Sequence, residues 1–136
     1  TRVCAIPEKR FDFVIGEVDY HGKHGKHGKH GKRPCVGKPE LIIEVKSFPF
    51  GFTDPQHRVH YYHVIEDDIP KLAGTREPLN NRYILLFDQD DYLKGFDTLS
   101  RTSRISRIMR VRDETDSRIK IIHMKKIGNQ LEWRLL

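Results

Sequence analysis

Cysteine is scarce in this chain of 136 residues: Cys4 and Cys35 are the only two. Without a Cys-x-x-Cys pair they spell neither a disulfide framework nor a structural zinc site, although a single bridge between them stays open. Long apolar runs are also missing. No stretch approaches the ~20 residues that a membrane span needs, and no basic segment leads into an apolar one as in a signal peptide, so the sequence predicts a soluble, intracellular protein. The glycine loop G-x-x-x-x-G-K-[ST] is absent too, which removes the usual sign of ATP dependence. Negative charge is the minority: 19 Asp and Glu stand against 25 Lys and Arg, a formal net charge of +6. Such a surplus favours a polyanionic partner; nucleic acid is the commonest, and membrane lipid or an acidic protein fits the same balance.

The length suits one domain, and 37% hydrophobic residues can build its core. Residues 11 to 20, "FDFVIGEVDY", and 40 to 48, "ELIIEVKSF", are rich in Val, Ile and Phe and bounded by Gly, Pro and charge. Both read as strands, paired as a long antiparallel hairpin. Between them "HGKHGKHGKHGK", residues 21 to 32, repeats a three-residue unit four times and can build no core. "RYILLFDQDD", residues 82 to 91, reads as a buried central strand ending in acid, and "RIKIIHMKKIGNQLEWRLL" as a hairpin turning at Gly128-Asn129. Residues 97 to 112 predict an arginine-rich helix capped by Asp97, with strand as the alternative for the second half. This order of elements predicts an α+β domain, a mainly antiparallel sheet carrying two helices.

The other helix is expected over residues 55 to 69, with Asp54 as cap, Pro55 at the first helical position and Pro70 forcing the end. At ~100° per residue, Gln56, His60, His63 and Asp67 share a solvent-facing stripe, while Val59, Tyr62, Ile65 and Ile69 mark the buried one. Glu66 then falls at the boundary with the sheet. A carboxylate there is partly desolvated and needs an arginine, hydrogen bonds or a metal ion. His60 and His63 read as solvated or hydrogen-bonded side chains, with metal ligation or proton transfer as the functional alternative.

Alternation along "ELIIEVKSF" puts Glu40, Ile42, Glu44 and Lys46 on one side of the sheet. A Glu-x-Lys strand sets an acceptor for a divalent ion beside an ammonium group, and phosphodiester hydrolysis uses both. As a surface salt bridge the same pair would need no function. "IIEVK" resembles the second half of the PD-(D/E)XK nuclease signature, for which Asp12 in "RFDFVI" is the natural acid on the preceding strand and Glu17 or Asp19 the alternatives. The following helix, with Gln56 and Tyr61, resembles the Gln and Tyr helix of RecB-like members, and "YILLFD" their later core strand. The helix "HYYHVIEDD" behind a basic hairpin is also similar to the small nuclease type of an Acidianus filamentous virus, which implies an enzyme acting on double-stranded DNA in an infected archaeal host. "GEVDY" competes for the same region: Glu17 and Asp19, with Glu44 as a third acid, resemble the metal-binding acids of the nucleotidyltransferase fold.

Arg101, Arg104, Arg107, Arg110 and Arg112, at spacings of two or three residues, predict a broad cationic surface for phosphates. Their alternative is a solvated face balanced by Asp113, Glu114 and Asp116. Lys23, Lys26, Lys29, Lys32 and Arg33 add a basic finger able to follow a DNA backbone. The reading that follows is a nuclease using Mg²⁺ or Mn²⁺. Glu66, Glu44 and Asp12 are expected at the metal, Lys46 at the developing charge, and His60 and His63 at proton transfer or substrate contact. Asp88 and Asp90 could join either acid cluster. A DNA-binding protein without catalysis is the reading from another class.

Overall fold

The computed structural model describes residues 11–20 and 34–136. β1 (Phe13–Tyr20) and β2 (Pro34–Phe48) form the expected antiparallel hairpin. A helical arm follows: α1 (Asp54–His63), a π turn (Val64–Asp68) and α2 (Ile69–Ala73). After β3 (Arg82–Asp88) come a 3₁₀ turn (Tyr92–Lys94) and a two-rung ladder of β4 (Phe96–Asp97) with β5 (Thr102–Ser103). α3 (Arg104–Asp116) leads into β6 (Lys120–Ile127) and β7 (Gln130–Leu135), a hairpin that turns at Gly128, whose φ of 58° suits glycine.

The main sheet runs β1-β2-β3-β6-β7. Its outer pairs are antiparallel, while β2-β3 and β3-β6 are parallel, because a helical crossover joins each of those partners. The α+β expectation therefore holds with a mixed sheet. Both crossovers lie on one face. There Ile42 and Phe48 of β2, Ile84 and Leu86 of β3 and Ile121 of β6 pack against Tyr61, Val64, Ile65, Ile69 and Leu72 of the arm and Ile105 and Ile108 of α3. Burying each such side chain contributes roughly 1.5–3 kcal/mol. The opposite face keeps Ile15, Trp133 and Leu135 at 54%, 67% and 57% exposure.

Three helix boundaries differ from the sequence reading. Thr53, not Asp54, caps α1, closing a capping box with Gln56, whose side chain accepts from Thr53 N (2.8 Å). Pro70 does not end the arm. In the π turn the Ile69 N–H donates to Val64 O, and Pro70, which has no N–H to donate, then opens α2 as a first-turn residue. α3 begins at Arg104, seven residues beyond Asp97, because Ser103 is the cap whose Oγ accepts from Ser106 N (3.2 Å). It stays helical through Asp116.

Candidate active site

The β1–β2 register places Phe13 opposite Ile43, so Asp12, one residue before β1, arrives beside Glu44. Asp12 Oδ2 accepts from Val45 N (2.7 Å), and the Asp12 and Glu44 carboxyls share a hydrogen bond. Strand alternation points Glu44 and Lys46 toward the helical arm. From that arm Asp68, the last residue of the π turn, meets Lys46 at 3.2 Å, and the Lys71 ammonium of α2 pairs with Glu44. Lys71 also lies 5.0 Å from the Phe11 ring centroid. Glu44 and Asp68 are 3% and 4% exposed, whereas Asp12 is exposed and the two lysines are partly so.

Three carboxyls thus face two ammonium groups, which leaves one negative charge uncompensated when all are ionised. The group that yields is Glu44. Burial, with the Asp12 and Asp68 carboxyls adding to it against Lys71, pushes its pKa up to about 7. Asp68 is raised as well, by burial against the pull of Lys46. Asp12 goes the other way: burial is outweighed by the Val45 N–H, the Glu44 hydrogen bond and the two lysines. Below about pH 7 the protonated form of Glu44 predominates, and in it Glu44 donates to Asp12. Glu44 Oε1 and Asp68 Oδ2 are buried and, beyond the ammonium contacts, make no directed hydrogen bond.

Other buried acids are saturated. Asp97 accepts from Tyr61 Oη (2.9 Å), Arg107 Nη1 (2.8 Å), Leu99 N (3.1 Å) and Ser100 Oγ (3.1 Å). Burial alone would raise it, yet these donors bring its pKa down to about 2. Asp116 is held far below the carboxylate range by Arg118 and Arg82. Asp88 accepts from Tyr92 N (2.8 Å) and Leu93 N (3.1 Å) and pairs with His123 Nε2 (3.0 Å).

The structure gathers Asp12, Glu44 and Lys46 and leaves other sequence candidates elsewhere. Glu66 is exposed, contrary to the desolvated position expected, because the arm buries His57, Tyr61, Ile65, Asp68 and Leu72. The projection went wrong where polar side chains are buried with partners: His57 Nε2 donates to Pro49 O (3.0 Å) and Tyr61 to Asp97, so Val59 is left 53% exposed. His63 is exposed and 3.9 Å from Asp67, and His60 Nδ1 donates to Ser47 O (3.0 Å). Gln56 caps its helix and Tyr61 anchors Asp97, so neither side chain turns to the acid cluster. Asp88 binds His123, and Asp90 lies 3.9 Å from His57. Glu17 sits opposite Lys38, six residues up β2 from Glu44, so it is not a partner of that carboxylate.

The expected arginine surface is also corrected. Arg104 donates to Tyr92 O, Arg107 to Asp97 and Arg112 to Ile119 O and Leu136 O, which leaves Arg101 and Arg110 exposed. Lys23, Lys26, Lys29, Lys32 and Arg33 lie outside the described residues. Sequence reasoning missed Asp68 and Lys71. Their signal was an Asp-x-x-Lys step on one helical face behind a Glu-x-Lys strand, hidden in the acidic run Glu66-Asp67-Asp68.

No protein-family model, no curated protein and no solved structure matches this chain. Among the described residues no group of three His, Cys, Asp or Glu side chains is arranged to hold a metal ion. Two adjoining carboxyls, Asp12 and Glu44, nevertheless suit Mg²⁺ or Mn²⁺, which take oxygen ligands and fill their remaining positions with water and phosphate. The charge left over when three carboxyls face two ammonium groups fits such an ion.

Proposed function

We infer that this domain is a metal-dependent nuclease that hydrolyses DNA phosphodiester bonds, with Asp12, Glu44 and Lys46 at its centre and Asp68 and Lys71 completing it. One observation carries the reading: Glu44 is buried at 3% exposure beside the Asp12 and Asp68 carboxyls, raised to a pKa near 7, and met at Oε1 by the single ammonium of Lys71. A chain that saturates Asp97 and Asp116 elsewhere leaves this acid under-compensated, which is the pattern of a functional site.

A bound Mg²⁺ or Mn²⁺ supplies neutralising charge at the phosphate and a more acidic water. Asp12 and Glu44 offer the oxygens that hold it, and Glu44 gives up its proton as it does so. Were Glu44 to hold the ion, the partly exposed Lys71 ammonium would be available to a phosphate oxygen. Asp68 keeps Lys46 in place at 3.2 Å, so that Lys46 presents its charge to the pentacoordinate phosphorus. The basic surplus and the lysines of the His-Gly-Lys repeat support a DNA partner through phosphate contacts.

Incubation with linear DNA and Mg²⁺ or Mn²⁺ tests the reading. Cleavage is expected, abolished by EDTA and reduced at least about 100-fold in Glu44→Gln and Asp12→Asn. Salt-sensitive binding with no cleavage under any divalent ion would instead establish a DNA-binding protein.

A further inference from the structure

A second recess lies toward the other end of the helical arm. It is a cavity of about 350 Å³ between α1 and the β4–β5 turn, lined by residues that include Arg58, Tyr62, Tyr92, Phe96, Leu99 and Arg104. Flat groups stack along one side. The His57 ring centroid is 4.7 Å from that of Tyr92 with planes 26° apart, and the Arg104 guanidinium carbon is 3.8 Å from the same Tyr92 centroid. The Phe48 ring lies 5.7 Å from Tyr92 as well, with planes 15° apart, so Tyr92 packs with two rings and a guanidinium. Of this group Tyr92 and Arg104 line the recess.

The Arg104 plane is built, not incidental. Arg104 Nη1 donates to Tyr92 O (2.9 Å), and Arg104 N donates to Gly95 O (2.9 Å). A Cβ on Gly95 would stand 2.2 Å from Arg104 Nη1, so the missing side chain is what lets the guanidinium lie there. Phe96 and Leu99, 60% and 71% exposed, add apolar surface at the same recess. A planar cation with apolar flanks matches the π-face of a base, and Arg58, paired with Asp54 at 2.9 Å, lies at the same recess.

We propose that this recess takes an unpaired nucleobase of the DNA strand, stacked on the outer plane of Arg104 beside Phe96 and Leu99. The assignment to substrate rests on the nuclease reading. Tyr62 of the recess and Asp68 of the acid cluster lie on one helical arm, roughly 9 Å apart along its axis at ~1.5 Å per residue. That is two to three nucleotides at the ~3.4 Å spacing of a stacked strand. The preferred substrate is then DNA with a single-stranded segment, such as an overhang or a flap, in place of a fully paired duplex.

Fluorescence anisotropy in EDTA, where no cleavage occurs, separates the two ideas. Labelled single strands and overhang duplexes should bind about tenfold tighter than blunt duplex, and Phe96→Ala, Gly95→Ala and Arg104→Lys should each erase most of that preference. Phe96 is exposed, so its variant reports on the site even if Gly95→Ala unfolds the turn. Equal affinity of the unaltered protein for single-stranded and blunt DNA overturns the proposal, as does a preference unchanged in both Phe96→Ala and Arg104→Lys. Free dAMP binding as tightly as the oligonucleotide also overturns it, since the ligand would then be a nucleotide and not a strand. Should the preference hold while no divalent ion supports cleavage, the base site stands and the nuclease reading falls; cleavage indifferent to overhangs gives the reverse.

Discussion

Two sets of largely enclosed carboxyls in this molecule have opposite surroundings. Asp97 and Asp116 are surrounded by donors until their protons bind more weakly than in water. Glu44 and Asp68, 3% and 4% exposed, meet two ammonium groups and each other, and bind their protons more tightly. The first set ties loops to helices: Asp97 joins the β4–β5 turn to α1 and α3, and Asp116 joins the end of α3 to β3 through Arg82. The second set ties nothing that an apolar pair could not tie equally well. Burial by itself therefore says little about an acid; its count of donors separates an acid that holds the fold from one kept in reserve for a ligand.

Mutating each set should separate them. Asp116→Ala strands the fully buried Arg82 guanidinium and should cost about 3–5 kcal/mol in a urea titration. Asp97→Ala, which orphans the Tyr61 hydroxyl and Arg107, should cost roughly 2–3 kcal/mol, with its acid sensitivity removed. The sign follows from its depressed pKa: the stabilisation by Asp97 is present above its unfolded value near 3.8 and is lost as pH falls toward about 2. Glu44→Gln should do the opposite, raising stability at pH 8 by about 1–3 kcal/mol while cleavage is lost. Here the folded pKa is raised, so the favourable contribution is complete below 4.5 and gone once pH rises through about 7. Smallest of all, Glu66→Ala should stay within about 0.5 kcal/mol of the parent and cleave normally, because the side chain is exposed. A Glu66→Ala variant as inactive as Glu44→Gln would erase the distinction.

Much of the fold was legible in the residues, and the reason is period. Alternation in "ELIIEVKSF" put Glu44 and Lys46 on one face, Gly128-Asn129 marked the last hairpin, and the acid before "FVI" arrived beside Glu44 once two strands paired. The site's other half was not legible. Asp68 and Glu66 lie in one acidic run, and choosing between them requires knowing that His57 and Tyr61 are buried with partners and that a π turn carries the arm past Pro70. Hydrophobic projection counts such polar residues as solvated. The arginines failed for the same reason: Arg104, Arg107 and Arg112 were read as surface charge, but carbonyls and Asp97 provide internal partners that no local spacing reveals.

If a divalent cation replaces the proton on Glu44, thermal unfolding followed from pH 5 to pH 8, with and without Mn²⁺, should register the exchange. Without ion the unaltered protein should lose stability as pH rises from 5 to about 7, Mn²⁺ should restore it at pH 8 by more than at pH 5, and Glu44→Gln should lose the Mn²⁺ effect and much of the pH dependence. A melting temperature of the unaltered protein that ignores Mn²⁺ throughout, or an equal Mn²⁺ effect after Glu44→Gln, would mean that no cation binds at Glu44.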